Sequence, residues 1–96
     1  MEEENANKKV EKYEKITRNA LEKIEIKKEL TKKEQIIANR FMEMAKNYYA
    51  DAKYFQKQGK ILTAIAAFSY AHAWLDAGIR AELFDGKEDD KLFTIL

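Results

Sequence analysis

The chain contains no cysteine and no proline, and only three of its 96 residues are glycine. Without cysteine it can form no disulfide, thiolate metal site or cysteine nucleophile, and it fits a reducing compartment. Proline and glycine interrupt helices and shape tight turns. Their scarcity therefore argues against a barrel or sandwich and favours a mostly helical fold. The length predicts a single domain over residues 1–96.

The chain also has no large excess of either charge, because 18 basic residues are balanced by 17 acidic ones. No run of like charge is long enough to act as a nucleic-acid-binding tail. The most apolar stretch, residues 61–79, contains Ser69, His72 and Asp76, which argues against a membrane span. The acidic first residues do not resemble a secretory signal. We therefore expect a soluble, cytoplasmic protein without a membrane partner.

Three stretches of the sequence have apolar residues at every third or fourth position. This period predicts helices over about residues 4–29, 32–58 and 60–84. Short connections make consecutive helices antiparallel neighbours. The predicted fold is therefore all-α, an up-down-up antiparallel three-helix bundle with a short apolar C-terminal tail within residues 87–96.

Specific residues mark the predicted helix ends. Thr31 followed by Glu34 is typical of a capping box at the start of the second helix. Gly59 can adopt the left-handed conformation that ends this helix. Asp85 and Gly86 are expected to stop the third helix, whereas Gly78 lies inside it and predicts a close packing contact there.

The third predicted helix is apolar around most of its circumference, which is unusual for a helix of an isolated bundle. One row of small and aromatic residues extends its apolar surface: Ala66, Tyr70, Ala73 and Ala77. Two alternatives could bury this apolar surface. The tail, residues 92–96, could fold back after Gly86, or a second copy or a partner helix could dock on this row.

Residues 70–78 read Tyr-Ala-His-Ala-Trp-Leu-Asp-Ala-Gly. Together with the preceding residues from Tyr54, this string resembles the archaeal family of small proteins called domain of unknown function 357. That family commonly has Gly where this chain has Ala73. The resemblance implies an intracellular helical bundle and no known activity. The candidate signature and interface residues are Ser69, Tyr70, His72, Ala73, Trp74, Asp76, Gly78 and Arg80.

Catalysis finds little support in these residues. Ser69, His72 and Asp76 are the residue types of a catalytic triad on one helix, but a triad needs a geometry that one rigid helix rarely provides. We interpret His72 as a boundary histidine and Asp76–Arg80 as a helical ion pair. With one histidine and no cysteine, a metal site is not expected. Gly59-Lys60 lacks the pattern of a phosphate loop, and no cofactor is predicted.

A basic ridge on the second helix and its turn is the basis of an alternative function. It consists of Lys46, Lys53, Lys57 and Lys60, with Tyr49 and Tyr54 near enough for base stacking. The simpler interpretation is a solvated helix surface, because the whole chain is almost neutral.

The sequence therefore predicts a protein-interaction module that uses the third helix and the C-terminal tail. Its partner would be an unidentified protein or a second copy of the chain. The alternative is a weak nucleic-acid-binding module that uses the basic ridge, and an enzyme is disfavoured.

Overall fold

The computed structural model describes residues 2–93, and the predicted tail residues Thr94, Ile95 and Leu96 lie outside this range. It confirms the all-α three-helix fold. The elements in chain order are α1 (Glu2–Lys23), β1 (Glu25–Ile26), α2 (Lys32–Lys57), α3 (Ile61–Arg80) and β2 (Phe84–Asp85).

The core shows that α1 and α3 run in the same direction. Near one end of the molecule, Val10 of α1 clusters with Ala64 and Phe68 of α3. Near the other end, Ala20 clusters with Leu75. Helix α3 packs extensively on α2 and on α1, whereas α1 and α2 touch little. The central helix is therefore α3, as its high apolar content requires.

The cap predicted at the start of α2 is present. The Thr31 side chain accepts a hydrogen bond from the Glu34 backbone N–H at 3.1 Å, and the Glu34 carboxylate accepts one from the Thr31 N–H at 2.9 Å. The backbone N–H and the hydroxyl of Thr31 hold the pKa of Glu34 below its ordinary value. At the other end of α2, Gly59 has a φ of 75°, as predicted for a helix stop.

The prediction for the end of the first helix was wrong, because α1 ends at Lys23 and not near residue 29. The chain turns into strand β1, which pairs antiparallel with β2 so that Ile26 faces Phe84. Ile24 and Phe84 are both buried there. The helix stops where pairing with a distant segment satisfies the backbone and buries apolar side chains.

The third helix also ends earlier than predicted, at Arg80 instead of residue 84. Glu82 takes a left-handed conformation with a φ of 62°. Its N–H donates to the Ile79 carbonyl at 3.0 Å, and the Leu83 N–H donates to the Gly78 carbonyl at 2.9 Å. These two bonds form a Schellman motif, which closes α3 without a glycine at the left-handed position.

After β2 the chain folds back along the bundle, and we call residues 86–93 the C-terminal strap. Lys23 of α1 and Asp89 of the strap form an ion pair at 2.8 Å. Lys87 and Glu25 form a second one at 2.7 Å. Phe93 is only 3 % exposed and belongs to the same core cluster as Leu75. The strap is therefore an integral layer of the fold.

Candidate functional site

The candidate signature residues do not form one cluster, because α3 distributes them over several sides. Tyr70 and Ala73 are exposed, Trp74 packs on α2, and His72 lies beneath the strap. Gly78 is buried. A helix of 3.6 residues per turn cannot direct consecutive residues to one side, so the string contains both core and surface positions.

One side of α3 remains uncovered, and we call it the outer face. Its five residues are exposed and apolar: Leu62, Ala66, Tyr70, Ala73 and Ala77. Leu62 is 76 % exposed and Tyr70 is 50 % exposed. The sequence identified four of these residues and missed Leu62, although its position four residues before Ala66 places it in the same row.

A row of aromatic rings borders the outer face and holds Tyr70 in place. The Tyr70 ring meets Tyr48 of α2 edge to face at 4.4 Å between centroids and lies 6.3 Å from Trp74. Trp74 in turn packs on Phe41 at 5.1 Å. The buried indole Nε1 of Trp74 has no acceptor within the described part of the chain. The sequence did not predict the Tyr48–Tyr70 and Phe41–Trp74 pairs, because each joins α2 to α3.

A small apolar cleft of about 410 Å³ lies at the end of the aromatic row. Phe41, Met44 and Trp74 form its apolar lining, and Arg40 and Glu43 flank it. The cleft continues the apolar surface from α3 onto α2. The uncovered surface is therefore wider than a single row on α3.

The opposite side of α3 is covered by α1 and by the strap. The His72 Nε2 donates a hydrogen bond to the Leu92 carbonyl, and its ring lies 6.0 Å from that of Phe93. An open cleft of about 530 Å³ lies beside them and also contacts Ser69 and Tyr13. The imidazole therefore links the helix to the strap, consistent with the interpretation of His72 as a boundary residue.

The fold-back expected of the tail occurs as far as Phe93, but on the His72 side of α3. The ring of Phe93 also contacts Gly86, and Phe84 covers Gly78. The contact with Phe84 explains the close packing that the sequence predicted at Gly78 without identifying the neighbour. Neither contact covers the outer face of α3. Arg80 is exposed at the end of the helix.

The basic ridge of α2 is present as a surface feature. Lys46, Lys57 and Lys60 are exposed, and Lys53 is half-buried. Of the two tyrosines considered for base stacking, Tyr54 is 59 % exposed. Tyr49 is half-buried, and its ring lies 5.6 Å from the core residue Phe68. Its hydroxyl donates to the Glu14 carboxylate at 2.7 Å.

The environment of Tyr49 explains its protonation behaviour. Burial, followed by the hydrogen bond to Glu14 and the charge of that carboxylate, raises the pKa of Tyr49 to about 12. Glu14 also accepts a bond from Arg18 at 3.0 Å. Tyr49 therefore links α1 to α2, and its half-buried ring packs on Phe68.

Two further classes of site are absent from residues 2–93. No three histidine or acidic side chains lie close enough together to hold a metal ion. Within the same residues, none of the helices has the length and apolar content needed to cross a membrane.

Comparison with known proteins identifies the fold. The crystal structure of protein AF1782 from Archaeoglobus fulgidus, assigned to the DUF357 family, superposes with a TM-score of 0.72 at 21 % identity. The match covers 88 % of this chain and 97 % of that chain. No curated protein matches the sequence. The family described as "protein of unknown function (DUF357)" matches residues 12–84, which include the candidate signature. The chain therefore belongs to the DUF357 family.

Proposed function

We propose that this chain is a protein-interaction module that binds through the outer face of α3. The observation that carries the proposal is the absence of charge from residues 61–75 on a helix whose one side is open to solvent. Exposed helix surfaces ordinarily carry charged residues. An uncharged side that includes a 76 % exposed leucine is typical of a surface covered by a partner.

The aromatic row supports the same function. Tyrosine and tryptophan are the residues that most often dominate the binding energy of interfaces. Tyr70 is held between Tyr48 and Trp74, so its ring loses little conformational freedom when a partner covers it. The neighbouring alanines allow a partner helix to approach closely.

The proposal uses α3 and leaves out the C-terminal strap. The sequence suggested that the tail would contribute to binding together with the third helix. In the fold, Phe93 is buried in the core and Leu92 packs against it. Removing these side chains for a partner would expose apolar surface, and the strap lies on the other side of α3.

The nucleic-acid alternative gains no comparable support. The Tyr49 hydroxyl already donates to the Glu14 carboxylate of α1, and its ring is half-buried. The ridge contains four lysines in a chain with a net charge of +1. Binding to phosphate requires a larger local excess of positive charge.

A matched pair of variants tests the interaction function. Ala73→Glu places a charge on the outer face, whereas Ala50→Glu makes the same change at an exposed position of α2. Each purified chain is immobilised and exposed to an extract of its own cells, and each retained protein is then purified and rebound. We expect proteins that bind the wild type and Ala50→Glu but not Ala73→Glu. Identical sets for all three chains, including self-association, would contradict the proposal.

A further inference from the structure

We propose that the cleft between α1, α3 and the C-terminal strap binds a small zwitterion with an apolar side chain, namely an apolar α-amino acid. This is the cleft of about 530 Å³ beside His72, on the side of α3 that the strap covers. Small-molecule sites in proteins are typically clefts of roughly 300–1,000 Å³. Binding here does not involve the outer face, so the site is additional to the proposed function.

The apolar part of the cleft receives the side chain of the amino acid. Ile16 of α1 and Phe93 of the strap both line the cleft, and Phe93 is also a member of the core. Leu92 lines the cleft as well and packs on the same core cluster. Apolar ligand surface that leaves water at these three residues contributes favourably to binding. The cleft therefore favours a ligand with an apolar side chain over a purely polar one.

Three of the lining residues carry hydrogen-bond donors that match a carboxylate. They are Tyr13 of α1 and Ser69 of α3, each with a hydroxyl group, and Lys91 of the strap, with its ammonium group. None of these side chains has a hydrogen-bond or ion-pair partner within the described part of the chain. A carboxylate accepts hydrogen bonds at both oxygens and pairs with a cation, so it uses all three donors.

Two acceptors on the remaining lining residues match the ammonium group of an amino acid. Asp90 carries a carboxylate that forms no ion pair with the residues that the structure describes. His72 donates from Nε2 to the Leu92 carbonyl, and in that tautomer its Nδ1 carries a lone pair and accepts a hydrogen bond. The backbone of the strap therefore fixes the imidazole in the form that can accept from an ammonium group.

The adjacent positions of Asp90 and Lys91 favour an α-amino acid among the zwitterions. These neighbouring, exposed residues bring an anion and a cation to one edge of the cleft. In an α-amino acid the ammonium and carboxylate groups are attached to the same carbon atom, so both can pair at this edge at once. A ligand with a single charge is attracted by one of the two residues and repelled by the other.

Nuclear magnetic resonance titrations of the isotope-labelled chain with leucine test the site. The backbone amide signals of Ser69, His72 and Phe93 should shift with a Kd of about 1 mM or tighter, and those of the outer face should not. Leucinamide lacks the carboxylate, and N-acetyl-leucine lacks the ammonium group. Each should bind at least about tenfold more weakly than leucine, because a charged group of the cleft loses its partner. Glycine should also bind more weakly, since it has no apolar side chain.

Two variants test which residue binds which end of the ligand. Lys91→Gln should lower the affinity for leucine about tenfold and remove the difference between leucine and leucinamide. Asp90→Asn should in the same way remove the difference between leucine and N-acetyl-leucine. Lys46→Gln is the control and should bind leucine as the wild type does, because Lys46 is an exposed lysine of α2 outside the cleft.

Two results would overturn the amino-acid site. One is the absence of any signal shift at the cleft in about 10 mM leucine. The other is an equal affinity for leucine, leucinamide and N-acetyl-leucine, which would show that the cleft takes up apolar side chains without recognising a zwitterion. Neither result bears on protein binding by the outer face, which these titrations do not involve.

Discussion

Gly78 shows how one residue without a side chain sets the packing of a helix. It is buried inside α3, where glycine costs about 1 kcal/mol relative to alanine. A Cβ at this position would overlap the ring of Phe84. The sequence indicated that a group packs closely here, and the tertiary structure identifies that group as a residue of β2.

Gly78→Ala is expected to destabilise the protein by roughly 1–3 kcal/mol, because the new methyl group forces the Phe84 ring out of the core. Urea unfolding measures the change. In the double variant Gly78→Ala/Phe84→Leu, the smaller side chain should recover part of the loss, so the two effects should not add. A Gly78→Ala chain at least as stable as the wild type would show that moving the ring costs no more than the helix propensity that alanine gains.

Glu82 occupies the left-handed position of the Schellman motif, where glycine is preferred. Glu82→Gly should stabilise the protein by about 0.5–1 kcal/mol, since relief of the left-handed conformation outweighs the entropy that glycine adds to the unfolded chain. Thermal unfolding measures the effect. Glu43→Gly, in the exposed interior of α2, should instead cost about 1 kcal/mol. Equal losses in both variants would contradict this account.

At the scale of elements, the C-terminal strap depends on a few polar contacts around Asp89. Its carboxylate accepts hydrogen bonds from the backbone N–H groups of Lys91 at 3.1 Å and Leu92 at 3.0 Å. The bond from the Lys23 ammonium, followed by the Leu92 N–H, holds the pKa of Asp89 below its ordinary value. The ionised carboxylate therefore ties the strap to α1.

Asp89→Asn is expected to make the free energy of unfolding fall less steeply as the pH drops into the acid range. Because the native pKa lies below the unfolded one, this carboxylate stabilises the fold above about pH 4, and the stabilisation is lost as the pH falls through the native pKa. Urea unfolding at a series of pH values measures the slope. Lys23→Gln should flatten it less, because the two N–H donors remain. Parallel curves for the wild type and Asp89→Asn would exclude this role.

The helix ends differ in how far the sequence determines them. The capping box of Thr31 and the turn at Gly59 are formed by residues within one helical turn of each other, and both were predicted. The ends of α1 and α3 depend on the pairing of Glu25–Ile26 with Phe84–Asp85. Strands of two residues have no readable period, so no local pattern could predict where these helices stop.

At the scale of the whole molecule, the central helix α3 is covered unevenly by its neighbours. Helices α1 and α2 and the strap cover most of its circumference, and the outer face is left open. A bundle with a fourth helix would have covered it, and under the proposed function a partner protein takes that place.

The sequence by itself determined the three helices, the cap at Thr31 and the excess of apolar surface on the third helix. These features depend on periodicity and on hydrogen bonds between near neighbours. Only the tertiary structure decided which sides of α3 are covered, since this depends on residues far apart in sequence. Phe93 of the strap covers the side with His72, and Tyr48 borders the side that stays open. A period shows that a helix has an apolar side, but the identity of the neighbour that buries it is a property of the whole fold.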